Sequence, residues 1–192
     1  ACRLRFLWLL LGLLGCDASG PKFQALDITG AEYARALSLI DPAGRTRTLR
    51  EFRGKAIAVL FGYTQCPDVC PTTLSNMARV MELLGPEAAR VQVLFVTVDP
   101  ERDLAVLLGE YVPAFHPSFI GLRGEAEQTQ AVQREFRVLV QKHGDVKAGN
   151  YSVDHSTGSY LFDPRGRIRL LVPYGEKPES IVADLRLLLG GR

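Results

Sequence analysis

Residues 56–71 read Ala56-Ile57-Ala58-Val59-Leu60-Phe61-Gly62-Tyr63-Thr64-Gln65-Cys66-Pro67-Asp68-Val69-Cys70-Pro71. The run Ala56–Gly62 is apolar without a break, as a strand buried on both faces of a sheet must be. A short passage carrying Cys66 and Cys70 follows, and Pro71 suits a first helical position. Leu74, Met77, Ala78, Met81 and Leu84 then recur at spacings of three and four. They form one apolar helical face that stops at Gly85-Pro86. A buried strand therefore feeds a helix, with two thiols at the junction. Thiols so placed suit either soft-metal binding or redox exchange.

Working outward, Val91–Val98 is a second buried strand, closed by Asp99-Pro100-Glu101-Arg102-Asp103. Helices are expected over Asp103–Tyr111, ended by Pro113, and over Glu125–Phe136. Val138–Gln141 reads as a short strand and residues 143–157 as a polar loop. Ser159–Asp163 and Ile168–Val172, joined by Pro164-Arg165-Gly166, read as a β-hairpin, and Pro178–Leu189 as a closing amphipathic helix. Ahead of the first buried strand, Ala36–Ile40 and Thr46–Leu49 flank the turn Asp41-Pro42-Ala43-Gly44 and predict another hairpin.

Strands alternating with helices, then a hairpin, then a helix, predict an α/β fold with a mixed sheet. The pattern fits a thioredoxin-like fold with an added N-terminal β-hairpin. If the two buried strands are parallel neighbours, their C-terminal ends share one edge of the sheet. Cys66, Cys70 and Asp99 follow those ends. If the strand from Ser159 runs antiparallel, its start lies on the same edge, and His155 stands just before it.

The 192 residues make one domain of ordinary size, and 47% hydrophobic content is enough for a core. A net charge of +2, with both signs interspersed, leaves no nucleic-acid footprint. The first residues differ in kind: Arg3 and Arg5 precede the apolar run Phe6–Gly15, which is too short for an ordinary spanning helix and fits a secretory signal. The ending Leu13-Leu14-Gly15-Cys16 resembles a bacterial lipobox, in which the cysteine becomes the lipidated first residue. The expected organisation is a lipoprotein signal peptide over 1–15, a lipidated tether over 16–33 and the folded domain over 34–192. Cleavage before Cys16 leaves 21 basic and 21 acidic residues. Attachment to the membrane then falls to the lipid rather than to surface charge. Asp17 resembles an inner-membrane retention signal, so the expected place is the periplasmic face of the bacterial inner membrane. In that oxidising compartment Cys66 and Cys70 are the only thiols left free, and such a pair tends towards a disulfide.

By spacing alone, Cys66 and Cys70 stand equally for a metal site and for a disulfide. The surrounding residues are more specific. Gly62–Pro71, Val96–Asp103, Phe119–Gly124 and Val153-Asp154-His155-Ser156 resemble, in order, four motifs of the Sco/SenC family of copper-delivery proteins. The resemblance spans about residues 35–190 and implies a thioredoxin-like fold binding one copper ion. It implies Cys66 and Cys70 as thiolate ligands, also able to act as a redox-active disulfide, and His155 as the imidazole ligand. It implies Cu(I) as the bound form, with Cu(II) left open, and an upstream copper donor. The expected client is the copper-A subunit of cytochrome c oxidase, served as a metallochaperone rather than as an enzyme. The alternative is a specialised thiol–disulfide oxidoreductase that reduces the oxidase's copper-ligand cysteines. Asp99 is either an outer partner of the site or a turn former before Pro100. His116 and His143 read as surface or loop residues, and Met77 and Met81 as packing on a helix face.

Overall fold

The computed structural model describes residues 22–190. In chain order the elements are β1 (Leu26–Asp27), β2 (Ser38–Ile40), β3 (Thr46–Thr48), β4 (Ala56–Gly62), α1 (Val69–Leu84), β5 (Val91–Thr97), α2 (Ala105–Phe115) and β6 (Ile120–Leu122). They continue as α3 (Ala126–Glu135), β7 (Val140–Asp145), β8 (Asn150–His155), β9 (Ser159–Phe162), β10 (Ile168–Val172) and α4 (Pro178–Gly190). Six strands make the main sheet in the order β1-β10-β9-β4-β5-β6. Its centre, β4 and β5, is buried at every residue and paired in parallel, Ala56 opposite Val91 through Gly62 opposite Thr97. β9 lies antiparallel to β4 on the other side. The chain thus has the expected thioredoxin-like α/β fold, and β2–β3 form the added N-terminal hairpin. α1 packs against α4, turning Leu74, Met77, Met81 and Leu84 into the core as their spacing predicts.

Four boundaries differ from the sequence reading, each for a physical reason. α1 begins at Val69, so Cys70 and Pro71 lie in its first turn. Pro71 is tolerated there because the first backbone N–H groups of a helix have no intrahelical partner. α2 runs on to Phe115 with Pro113 inside it, and the rings of Tyr111 and Phe115, 5.2 Å apart, hold that last turn. The supposed polar loop over 143–157 is a strand pair, β7 with β8. Residues 24–27, read from the sequence as part of a tether, are bonded to the domain. Gln24 and Ala25 donate backbone N–H bonds of 2.8 Å to the buried Asp184 carboxylate, and β1 pairs with β10. Cys16 and the expected signal peptide lie outside the described residues. Among the described residues no helix is long and apolar enough to cross a membrane.

The β9–β10 turn shows how a buried carboxylate fixes such a corner. Asp163 accepts bonds from the backbone N–H of Arg165 and Arg167, 3.0 Å each, and from Arg167 Nε at 2.8 Å. Burial pushes its carboxyl up, but these hydrogen bonds outweigh burial and hold it below the usual range. Its stabilising share is therefore in place above the unfolded value, about pH 4, and is lost as pH falls further. Asp163→Ala is expected to cost about 2 kcal/mol at neutral pH, because it removes a buried carboxylate that bonds two turn N–H groups and the exposed Arg167. Urea unfolding at pH 7 and at pH 3 checks this, and the deficit should shrink at the lower pH.

Candidate functional site

The parallel pairing of β4 and β5 puts their C-terminal ends on one edge, and antiparallel β9 brings its start to the same edge. Cys66 follows β4, Cys70 stands on the first turn of α1, and His155 ends β8 just before β9. Residues 85 positions apart meet there: Cys70 Sγ lies 3.6 Å from His155 Nε2. The Cys70 backbone N–H points at Cys66 Sγ, 3.4 Å away. Both cysteines are free thiols, Cys70 buried and Cys66 half-exposed. Gly62 makes room for them, since a Cβ at that position would come within 2.7 Å of Cys70 Sγ.

The imidazole is held in one orientation. His155 Nδ1 lies 2.9 Å from the Ser156 carbonyl, which can only accept, so Nδ1 carries the proton and Nε2 offers its lone pair towards Cys70. Burial pushes the His155 pKa down, which keeps the ring neutral at pH 7. Burial pushes the Cys70 thiol well up, helped by the neighbouring Cys66 sulfur and the Asp103 carboxylate. The pair is thus a protonated thiol beside a neutral imidazole, and anything that takes both as ligands must displace a proton. Tyr63 closes one wall, its ring edge-on to His155 with centroids 6.3 Å apart.

An open groove of about 320 Å³ runs past these groups, with Cys66, Pro67 and Asp68 on one side and Val153, Asp154 and His155 on the other. A roomier cavity of about 590 Å³, between Thr29–Arg35 and the β9–β10 turn, contains neither thiol nor imidazole. Chemistry rather than size therefore picks the site. Two thiols and an imidazole suit a soft metal ion. Among the described residues no three His, Cys, Asp or Glu side chains already stand as a closed metal cluster. Cys70 and His155 are in contact, and Cys66 Sγ rests on the Cys70 backbone instead of completing the set.

Asp99 does not reach the imidazole. Its carboxylate accepts bonds from Tyr151 Oη at 2.7 Å and from Arg102 Nε, with Lys142 Nζ 3.4 Å away. Asp103, which the sequence reading did not single out, is the carboxylate on the thiol side. It accepts bonds from Thr64 Oγ1 and Thr97 Oγ1, 2.6 Å each, and so ties the cysteine loop to the end of β5. Its only trace in the sequence is a charged residue six places after the strand threonine that it binds. His143 pairs with Asp154 on the exposed face of the β7–β8 ribbon, and His116 bonds Ser118 at the end of α2. Neither approaches the thiols. Met77 and Met81 are buried in the core.

The SCO1/SenC family model matches residues 27–190. The chain belongs to the SCO1/SenC family. A SCO2-like protein of Rickettsia felis is 36% identical over 149 residues, covering 77% of this SCO1/SenC chain and 73% of the relative. The structure of Bradyrhizobium japonicum ScoI with copper bound superposes with a TM-score of 0.72 at 36% identity, covering 79% of this chain and 96% of that one. BsSco is described as a member of the Sco family of cytochrome c oxidase assembly proteins. It shares the fold at a TM-score of 0.68 and 19% identity, over 88% of this chain and 100% of its own.

Proposed function

We propose that this SCO1/SenC protein carries one copper ion as Cu(I) on Cys66, Cys70 and His155. It receives the ion from an upstream donor and passes it to the copper-A subunit of cytochrome c oxidase. The single observation that carries this reading is the 3.6 Å approach of Cys70 Sγ to the bare Nε2 of a neutral His155. Copper bound to a relative 36% identical supports the choice of metal. Soft thiolates prefer Cu(I), and imidazole is a compatible third ligand. On loading, both thiols release their protons as the sulfurs bind the cation. Cys66 turns from the Cys70 backbone towards the metal. Half-exposed beside the open groove, it is the ligand that an acceptor thiolate displaces first. Cys70, buried behind Gly62, holds the ion until exchange is complete.

One observation favours a second reading, reduction of the acceptor's cysteines: both site cysteines are thiols, and the accessible Cys66 is placed to attack a disulfide. Cys70 would then resolve the mixed disulfide, leaving Cys66 and Cys70 oxidised and the acceptor reduced. An acceptor copper-A domain supplied in two states separates the readings. With its cysteines already reduced, a Cu(I)-loaded carrier is expected to metallate it, read by the copper-A absorption once Cu(II) completes the centre. With its cysteines oxidised and no copper present, a reductase is expected to generate acceptor thiols. Failure to metallate the reduced acceptor sinks the carrier reading.

The lipid anchor at Cys16 and the periplasmic face of the inner membrane complete the proposal. They rest on the Leu13-Leu14-Gly15-Cys16 ending and the short apolar run before it. The mass of the N-terminal peptide from membranes tests them, and an unmodified Cys16 contradicts them.

A further inference from the structure

His155 sits on a ribbon that stands outside the main sheet. Among the described residues β7 and β8 pair only with each other, from Val140 opposite His155 to Asp145 opposite Asn150. Room lies on both sides of the ribbon. The site groove is on one, and on the other a cavity of about 430 Å³ separates Leu139, Val140 and Lys142 from Gln133 and Arg134 of α3. Such a ribbon has no ladder to fix its angle, so side chains must do it.

Those side chains are few and concentrated. Tyr151, Val153 and His155 alternate along one face of β8, and the first two are buried against the domain. Tyr151 is clasped from three directions. The Arg102 guanidinium lies over its ring at 3.6 Å, Arg102 Nη1 donates to its carbonyl at 2.8 Å, and its hydroxyl donates to Asp99 at 2.7 Å. Arg102 is itself fixed by Asp99 through Nε. Lys142, on the neighbouring strand, adds a 2.8 Å bond to Glu101. Nearer the site, the Val153 N–H makes a longer bond of 3.3 Å to Tyr63 Oη.

We infer that Arg102 is a positioning residue: its clasp on Tyr151 latches the β7–β8 ribbon and so sets the approach of His155 to Cys70. The inference deepens the copper reading and rests on it for the role of His155. The latch itself is independent of any metal. A planar guanidinium can stack on a ring and bond along two edges at once, which an ammonium cannot, so lysine is not an equivalent here. Releasing the clasp frees the ribbon to swing between its two flanking spaces and carries Nε2 away from the thiols.

Arg102→Met keeps the stem and removes the fork, and Tyr151→Phe removes only the hydroxyl, with its bond to Asp99 and a longer one of 3.5 Å to Glu101. Both are compared with the parent by amide hydrogen exchange of the full chain without metal. Exchange over 151–155 is expected to quicken about tenfold or more in Arg102→Met, the loss of bonds to a charged group, and less in Tyr151→Phe. Exchange in β4 and β5 stays at the parental rate. With Cu(I) added, Arg102→Met is expected to lose the nitrogen scatterer from its X-ray absorption while keeping both sulfurs. Unchanged exchange over 151–155 in both variants overturns the latch, as does a uniform rise that includes β4 and β5. A quickened ribbon with the nitrogen scatterer retained overturns the link to His155. If the parent itself takes up no copper, the copper reading fails, and the exchange rates still decide the latch.

Discussion

Replacing Cys70 with serine is expected to lower Cu(I) affinity by more than about a hundredfold, since losing even an outer partner of a metal ligand costs about 10–100-fold. Cys66→Ser should do the same, because the thiolates supply the preference for a soft ion. His155→Ala is expected to weaken binding less and to change its geometry, leaving two sulfurs in place. The controls follow from position. His143 faces solvent against Asp154, and His116 bonds Ser118 at the end of α2, so alanine at either should leave affinity unchanged. Competition against a Cu(I) chelator in reducing buffer measures all five variants. A loss at His116 or His143 equal to that at His155 would show the ligand assignment to be wrong.

Gly62→Val is expected to damage fold and site together. The added Cβ alone would come within 2.7 Å of Cys70 Sγ and 2.8 Å of the Phe95 ring, in a strand buried at every position. Two further methyl groups have nowhere to go. Overpacking of this kind costs about 1–3 kcal/mol when neighbours shift, and here one of the neighbours is a proposed ligand. The urea midpoint should fall, and at temperatures where the variant stays folded Cu(I) affinity should fall as well. A variant as stable as the parent with full affinity would mean that the thiol does not sit against β4.

Much of this arrangement was legible in the chain because the signals were local and strong. The unbroken apolar run of β4 and the largely apolar run of β5, which Gln92 interrupts, identify central strands, and their connection by a helix makes them parallel, which fixes the edge where Cys66 and Cys70 stand. The place of His155 followed from a strand direction alone. The parts that were hard to read have physical causes. The β7–β8 ribbon buries one face of one strand and solvates the rest, so Gly144, Lys147 and Gly149 outweighed the alternation of Tyr151, Val153 and His155. β1 is two residues long, too short for any period, and the Ala25 N–H just before it is held by a carboxylate 159 positions away at Asp184. Pro113 is an ordinary helix stop until the contact of Phe115 with Tyr111 is known. Asp103 and Arg102 carry no pattern of their own. Their roles depend on Thr64, Thr97 and Tyr151, which only the folded chain brings near.

X-ray absorption of the reduced, Cu(I)-loaded protein tests the central claim most directly. One copper per chain, with two sulfur scatterers and one nitrogen, is the expected result, and the nitrogen should vanish in His155→Ala. A stoichiometry near zero in fully reduced protein, or a copper environment unchanged by loss of His155, would contradict the proposed site.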